Sequence, residues 1–365
     1  MRRNDDPYCI RLLDMITNLE EAVVPPGQGF DEAYERLYAL GVTDGLPVVP
    51  PTPDRIATML GDRDPARVVA TLAPMFGAAS LHKIAICAVM AGCLPEYLPV
   101  LIAAVEAVAE KEFNLLGVQT TTGTAAPVMI VNGPAAARLG LNCATNALGP
   151  GVRANATIGR ALALVLRNIG GAVPGELDMA TMGQPGKYTF CFAENEQASP
   201  WEPLHVSRGF DRDQSTVTVL AAAGTIEVRD ECSARAESLL TTFARSMLSA
   251  GSVSSTGLLS GGEPLLLLSP EHARVIGREK TRAAAQTFLF ETARLPLGAL
   301  PHEAQANLKQ REAVKSKGDT GGELRLAVRA GDIMLAVVGG VGYKSTYVPT
   351  WGGGALAITK PIAGV

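Results

Sequence analysis

The sequence predicts an α/β fold built from two related halves, and three observations support this prediction. Short apolar strands such as PVMIVN (127–132) and PLLLLS (264–269) are bounded by turn residues and alternate with helical segments. Strands without polar interruptions are typical of sheets that are buried on both faces. The same order of segments also occurs twice along the chain, which indicates an internal duplication.

The composition supports a globular protein and excludes several partners. Apolar residues make up 47% of the 365 residues and charged residues 19%, which is enough apolar material for a large core. The net charge is −4 and no run of Lys or Arg stands out, so nucleic acid is not expected as a partner. No apolar run reaches the roughly 18–20 residues that cross a bilayer, so no membrane association is expected. The six cysteines show no CxxC spacing and MRRNDDPYC is no secretory signal, so a cytoplasmic protein is expected.

The elements are predicted in the following order. Residues 1–65 form a lead-in, where Thr52 caps a short helix that begins at Pro53. The first half, 66–210, contains RVVATLAP, LHKIAICAVMAGC, PVMIVN, NATIGRALALVLRNIGG and YTFCFAEN. The second half, 211–365, contains STVTVLAAAG, CSARAESLLTTFARSMLSAG, PLLLLS, TRAAAQTFLFETARL and DIMLAVVGGVG. The ordinary alternation of any α/β protein is the alternative to a duplication. A pocket is expected between the halves, at the carboxyl ends of the strands.

An anion site is predicted around the start of NATIGRALALVLRNIGG. The tight Gly-Pro-Gly loop at 149–151 precedes a helix whose first N–H groups carry partial positive charge, and Arg153 adds a planar fork of donors. Asn155 is predicted to be the N-cap of this helix. The predicted substrate-binding residues here are Gly149, Gly151, Arg153, Asn155, Asn142 and Asn146. Ordinary helix capping with a solvated arginine is the alternative.

The candidate catalytic residues lie in KYTFCFAENEQASPWEPLH (187–205). If the strand YTFCFAEN persists, Glu194 and Glu196 point to the same side, and an apolar wall there would raise a glutamate's pKa toward neutrality. Cys191 and His205 are second candidates for direct chemistry. The alternative is that the carboxylates form ion pairs or caps.

Two further residues of this stretch are predicted to contact substrate. Pro185-Gly186 predicts a type II turn that places Lys187 at the mouth of the strand, although a surface lysine is the alternative. Trp201 either forms a wall of the site or fills the core. No cofactor is predicted. A metal site formed by Glu194, Glu196, Glu202 and His205 is a minor alternative, because Pro203 disfavours the regular helix that such spacing needs.

Three stretches, TDGLPVVPPTPDRI (43–56), SPEHARVIG (269–277) and VVGGVGYKS (337–345), resemble the longer members of the UGSC family of selenoproteins and their cysteine-containing relatives. The family's selenocysteine (or cysteine)-Gly-Ser-Cys motif implies thiol or selenol redox chemistry. The sequence contains no CGSC, so this chemistry cannot be assigned to any residue here. The resemblance therefore implies a related scaffold and a thiol-active partner protein.

The sequence thus predicts a soluble enzyme, of hydrolase or lyase type, that acts on a small anionic metabolite between the two halves. Arg153 and its loop would hold the anion, and Glu194 or Glu196 would transfer the proton. One alternative is a redox component in which Cys191 or Cys143 is a reactive thiol. Another alternative is a non-catalytic assembly subunit. The apolar helix PEYLPVLIAAVEAVAE (95–110) predicts a homo-oligomer.

Overall fold

The computed structural model describes residues 19–248, 262–315 and 322–364, and it confirms the α/β class. The α-helices are α1 Phe30–Ala39, α2 Pro53–Leu60, α3 Leu81–Ala91, α4 Leu98–Ala109, α5 Leu115–Thr120, α6 Pro134–Arg138, α7 Arg153–Asn168, α8 Leu204–Ser207, α9 Ala236–Ser246, α10 Pro270–Gly277, α11 Arg282–Thr292 and α12 His302–Lys315. The strands are β1 Val68–Leu72, β2 Gly77–Ser80, β3 Ala126–Asn132, β4 Cys191–Ala193, β5 Thr216–Ala222, β6 Ile226–Arg229, β7 Leu265–Leu268, β8 Arg294–Pro296, β9 Glu323–Arg325, β10 Met334–Val337, β11 Lys344–Val348 and β12 Ile358–Pro361.

Two four-stranded sheets with the same pattern of strand directions form the centre of the molecule. In the first sheet the order is β4-β3-β5-β12, and in the second it is β10-β7-β11-β6. In each, the first two strands are parallel and the remaining neighbours are antiparallel. The correspondence extends to single residues. Met129 pairs with Cys191 and Val219, and Leu266 pairs with Leu335 and Tyr347 in the same geometry.

The two sheets pack face to face, and helices cover their outer faces. Val128 and Ile130 of β3 lie in one apolar cluster with Leu265 and Leu267 of β7. The alternate residues of β3 face α3, α4 and α7, and those of β7 face α9, α10 and α11. Because side chains alternate along a strand, this four-layer arrangement buries both faces of each central strand. It explains why these strands are apolar throughout.

The fourth strand of each sheet follows, along the chain, a strand of the other sheet. β6 follows β5 directly but pairs with β11 of the second sheet. β12 follows β11 but pairs with β5 of the first sheet, with Ile358 opposite Val219. The two sheets therefore exchange their fourth strands.

Strand pairings run across residue 210, where the sequence predicts the boundary between the halves. The segment STVTVLAAAG was predicted to open the second half, but β5 is a central strand of the first sheet. RVVATLAP was predicted to be its counterpart, but β1 forms a separate two-stranded hairpin with β2. The apolar alternation in both segments is that of a strand, but it carries no information on the partner strand.

The sheets also meet at their edges. The backbone N–H of Asn195, just beyond β4, donates to the carbonyl of Val337 in β10 at 2.7 Å. At the other side, Trp351 N–H donates to the carbonyl of Ala221 at 2.8 Å. The carboxyl ends of β4 and β10 therefore come together at one place.

The predicted helix start at Thr52 is confirmed, and a second helix begins in the same way at Ser269. The hydroxyl of Thr52 accepts from Arg55 N–H at the start of α2, and that of Ser269 accepts from His272 N–H at the start of α10. Over the described part of the chain, every helix is too short or too polar to cross a bilayer.

Removal of residues 358–365 tests the exchange of the fourth strands. We expect faster amide hydrogen exchange in β5, because β12 supplies hydrogen-bond partners along that strand. Protection in β11 should be retained, because its partner β6 is still present. Hydrogen-exchange mass spectrometry of both strands measures the difference. An equal loss of protection in β5 and β11 would contradict the topology. So would an unchanged protection of β5.

Candidate functional site

The candidate site is built around Asn132, the last residue of β3. This side chain is fully buried and lies opposite Thr216 of β5 in the antiparallel ladder. Its amide nitrogen donates to Glu194 Oε2 at 2.6 Å and to Glu196 Oε1 at 2.9 Å. The two hydrogens of one amide group therefore hold two carboxyl groups together at the carboxyl ends of the parallel strands β3 and β4.

The two glutamates follow β4 and do not extend it, since the strand ends at Ala193. The prediction that strand alternation aligns them is therefore replaced by their shared contact with Asn132. Glu196 also accepts the backbone N–H of Gly133 at 2.7 Å. Gly133 has φ +78°, and a Cβ there would lie 2.2 Å from the carbonyl oxygen of Gln214. Only glycine fits this turn, so the backbone donor to Glu196 depends on it.

Helix α8 supplies the other contacts. The backbone N–H of Leu204 donates to Glu194 Oε2 at 2.7 Å. His205 is fully buried, with Nδ1 3.9 Å from Glu196 Oε1 and Nε2 3.4 Å from the carbonyl of Arg212. If Nε2 carries the proton and faces this carbonyl, Nδ1 has a lone pair that faces the carboxyl group. The glutamates and the histidine are thus close enough to exchange protons through small shifts or a bridging molecule.

Burial raises the pKa of Glu194 to about 7. The hydrogen bonds from Leu204 and Asn132 and the charge of Arg282 oppose this shift, and the charge of Glu196 adds to it. Since Oε2 already accepts two N–H groups, a proton bound by Glu194 is expected on Oε1. A carboxyl group that titrates near neutral pH is suited to acid and base chemistry.

Four buried polar atoms of this region have no hydrogen-bond partner among the described residues. They are Asn132 Oδ1, Glu194 Oε1, His205 Nδ1 and Thr216 Oγ1. Buried polar atoms are normally paired, so a group of unpaired ones is unusual in a structural core. These four atoms can form further hydrogen bonds, so this end of the first sheet can bind a polar ligand or relay protons.

A cavity of about 490 Å³ lies between residues 202–208 and residues 282–335. Leu204 lines it from α8, and Arg282 and Ala283 line it from α11. Leu204 thus links the cavity to Glu194, because its backbone N–H holds the carboxyl group. Arg282 is the guanidinium that acts electrostatically on Glu194.

The structure assigns a structural contact to Trp201. Its indole N–H donates to the carbonyl of Lys280 at 3.1 Å, and its ring lies 5.6 Å from the guanidinium carbon of Arg282. Glu202, one residue later, places Oε1 3.5 Å from Arg282 Nε. The helix α8 begins only at Leu204, so Glu202 and His205 do not form the helical pair that the metal alternative requires. Across 19–248, 262–315 and 322–364, no group of three or more His, Cys, Asp or Glu side chains is placed to hold a metal ion.

The structure does not place Arg153 opposite Glu194. Arg153 Nε donates to the carbonyl of Gly92 at 2.9 Å, and the side chain lines a separate cavity of about 280 Å³ with Arg55 and Cys93. Helix α7 begins at Arg153 itself, so the side chain extends from the first turn toward α3. The charge that reaches Glu194 comes from Arg282 instead.

The remaining residues of the predicted anion loop form hydrogen bonds within the loop. Asn155 is not the N-cap, because the helix already begins at residue 153 after Val152. Its buried amide instead accepts from Asn142 N–H at 2.8 Å and donates to the carbonyls of Asn142 and Ala147. Asn146 donates to the carbonyl of Pro150 at 2.9 Å. The two glycines shape the same turn: a Cβ at Gly149 would lie 2.1 Å from Asn146 Oδ1, and Gly151 has φ +123°.

Lys187 lies elsewhere. It ends a 3₁₀ turn that begins at Pro185, in place of the predicted type II turn, and forms an ion pair with Asp178 at 2.6 Å. The lysine lines a cavity of about 630 Å³ together with Pro127 near the start of β3. This is the opposite end of the strand from Asn132.

The two candidate thiols differ in position. Cys191 is buried in β4, and burial raises its pKa well above the usual range. Cys143 is partly exposed, and burial together with the charge of Glu196 raises its pKa. A raised pKa lowers the fraction of thiolate, the reactive form, so both surroundings oppose thiol reactivity.

Sequence reasoning missed Asn132 and Arg282. A polar residue that ends an otherwise apolar strand at its carboxyl end is a signal for Asn132. Arg282 lies at the first position of an ordinary capped helix, and nothing in the sequence distinguishes it.

Comparison of the chain with known proteins gave no match to a family model, to a curated protein or to a solved structure. The resemblance to the UGSC family stays a prediction.

Replacement of Glu194 by Gln tests the raised pKa. A carboxyl group with a pKa of about 7 in the folded state and 4.5 when unfolded favours folding fully below pH 4.5, and this contribution is lost as the pH rises through 7. The loss amounts to about 3 kcal/mol. Glu194→Gln keeps the acceptor for Leu204 and cannot ionise, so its stability should fall less between pH 5 and pH 8.

Urea unfolding at both pH values measures this difference. Glu237→Gln, in which an exposed carboxylate is removed, is the matched control and should follow the wild type. The same pH dependence in Glu194→Gln and the wild type would show that Glu194 does not titrate in this range.

Proposed function

We propose that the protein is an enzyme that moves a proton to or from a small anionic metabolite at the Glu194–Glu196–His205 cluster, in hydrolase or lyase chemistry. The observation that carries this proposal is the shared amide of Asn132, which holds both carboxyl groups while burial raises the pKa of one of them to about 7. Two carboxyl groups in one site, of which one has its pKa raised by burial, are suited to opposite roles as acid and base.

The two glutamates differ in access. About 24% of the Glu196 side chain is exposed, whereas Glu194 is 3% exposed. Glu196 is therefore the group that contacts substrate and removes a proton from it or from an attacking water. Glu194 lies behind it and holds a proton on Oε1. His205, with Nδ1 directed to Glu196, takes part in returning the cluster to its starting protonation state.

A cytoplasmic location and a homo-oligomeric state belong to the same proposal. The predicted thiol chemistry is less favoured by the surroundings of Cys191 and Cys143, since burial raises the pKa of both. Loss of activity on alkylation, with full activity in Glu196→Gln, would favour the thiol alternative.

A thermal-shift screen against a panel of small anionic metabolites identifies the substrate class, because a ligand that binds the folded state raises Tm. With the compound so found, Glu196→Gln should lower kcat/KM by about 10²–10⁴-fold, the usual contribution of a positioned acid or base. Glu194→Gln should lower kcat and remove the limb of the pH profile near pH 7.

Glu237→Gln serves as the control for this measurement, because it removes an exposed carboxylate that pairs with Lys280 outside the cluster. Full turnover in both cluster variants would refute the proposal. Binding of a compound without turnover by the wild type would instead favour the alternative of an assembly subunit without catalysis.

A further inference from the structure

The cavity between α8 and α11 contains a buried cation that is incompletely paired. Arg282 is 6% exposed, and its Nε has no hydrogen-bond partner among the described residues. Burial lowers the pKa of Arg282, and the charges of Glu194 and Glu202 oppose this shift. A guanidinium in this position retains its charge and has an N–H donor that lacks a hydrogen-bond acceptor.

The guanidinium is fixed in orientation. One terminal nitrogen donates to the carbonyl of Leu335 in β10, and the other donates to the carbonyl of Glu202. The ring of Trp201 lies against it. These contacts leave the Nε–H without an acceptor. They also fix the plane of the guanidinium, so a ligand can accept from Nε–H only in that plane.

The carboxylate oxygen that lies near Nε belongs to Glu202, at 3.5 Å. The Glu202 side chain is 45% exposed, so it can turn toward solvent at small cost. Arg208, the second arginine of the cavity, already contacts Glu263, Thr359 and the carbonyl of Ala357. Arg282 is therefore the cation of this cavity that can accept a new anion.

We propose that this cavity binds the carboxylate group of a small organic acid through Arg282, in place of the Glu202 side chain. This inference rests on the proposed function and adds the substrate class and the residue that binds it. A planar carboxylate matches a guanidinium fork. A single negative charge is tolerated better than a doubly charged phosphate, because Glu194 and Glu202 lie close to the same arginine. A volume of about 490 Å³ accommodates an organic body as well as the charged group.

The position of the cavity fits this role. Leu204 lines the cavity, and its backbone N–H donates to Glu194. A carboxylate held at Arg282 would therefore lie next to the element that positions the buried acid. Ser207 and Gln286 add polar groups to the lining, and Met334 adds an apolar surface.

Binding is measured from the Tm of the full chain with acetate, lactate, benzoate and inorganic phosphate as probes, each up to ~10 mM. We expect at least one carboxylate to raise Tm at a lower concentration than phosphate does. Arg282→Gln should weaken its binding at least tenfold. Glu202→Gln should strengthen binding about threefold, because the competing carboxylate is removed.

Two further variants keep the test decisive if Arg282→Gln does not fold. Ala283→Trp places a large side chain on an exposed position of the lining and should abolish binding without a change in the core. Arg294→Gln is the matched control, because Arg294 also has an unpartnered Nε and a 3.4 Å ion pair, with Glu323. Its affinity for the probes should equal that of the wild type.

Several outcomes would overturn the inference: no shift of Tm with any carboxylate, tighter binding of phosphate, or undiminished binding in Ala283→Trp. Failure of the proposed function looks different. Glu196→Gln should bind the carboxylate as the wild type does, so binding with unaltered turnover in that variant would refute the acid/base role and leave the carboxylate site in place.

Discussion

The apolar contact between the two sheets is the constraint on which the rest of the structure depends. Val128, Ile130, Leu265 and Leu267 direct one face of each sheet into a common interior, while the opposite faces pack on helices. Each fully buried side chain of this kind contributes roughly 1.5–3 kcal/mol to folding. β3 and β7 have no solvent-facing side, and their nearest polar side chains, Asn132 and Ser269, lie where these strands end.

Asn132 shows the consequence of this constraint. It is the first polar side chain after the apolar run of β3, and it lies at the same end as Glu194 and Glu196. A carboxyl group buried there loses hydration, and two N–H donors compensate only in part, so its pKa rises. The chemistry of the site therefore follows from the depth at which the sheet ends.

The fold class could be predicted because uninterrupted apolar strands and proline-started helices are local signals. The helix start at Thr52 is confirmed for the same reason. Glu194, Glu196 and His205 are close in sequence, so a local pattern can point to them, although their contacts come from Asn132 and α8 and not from strand alternation. The partners of the strands could not be predicted, because STVTVLAAAG has the same alternation in either sheet. Arg282 comes from 88 residues beyond Glu194, and no local pattern reports such a contact.

The exchanged edge strands have a consequence for the order in which the protein folds during synthesis. The first sheet contains β3, β4 and β5, but its last member, β12, is made more than 130 residues after β5. A ribosome-bound chain therefore carries an open sheet edge until residues 358–361 emerge, and contacts over such long separations form slowly. Until then, the exposed side of β5 can pair with other strands, so nascent chains of this protein should depend on chaperones.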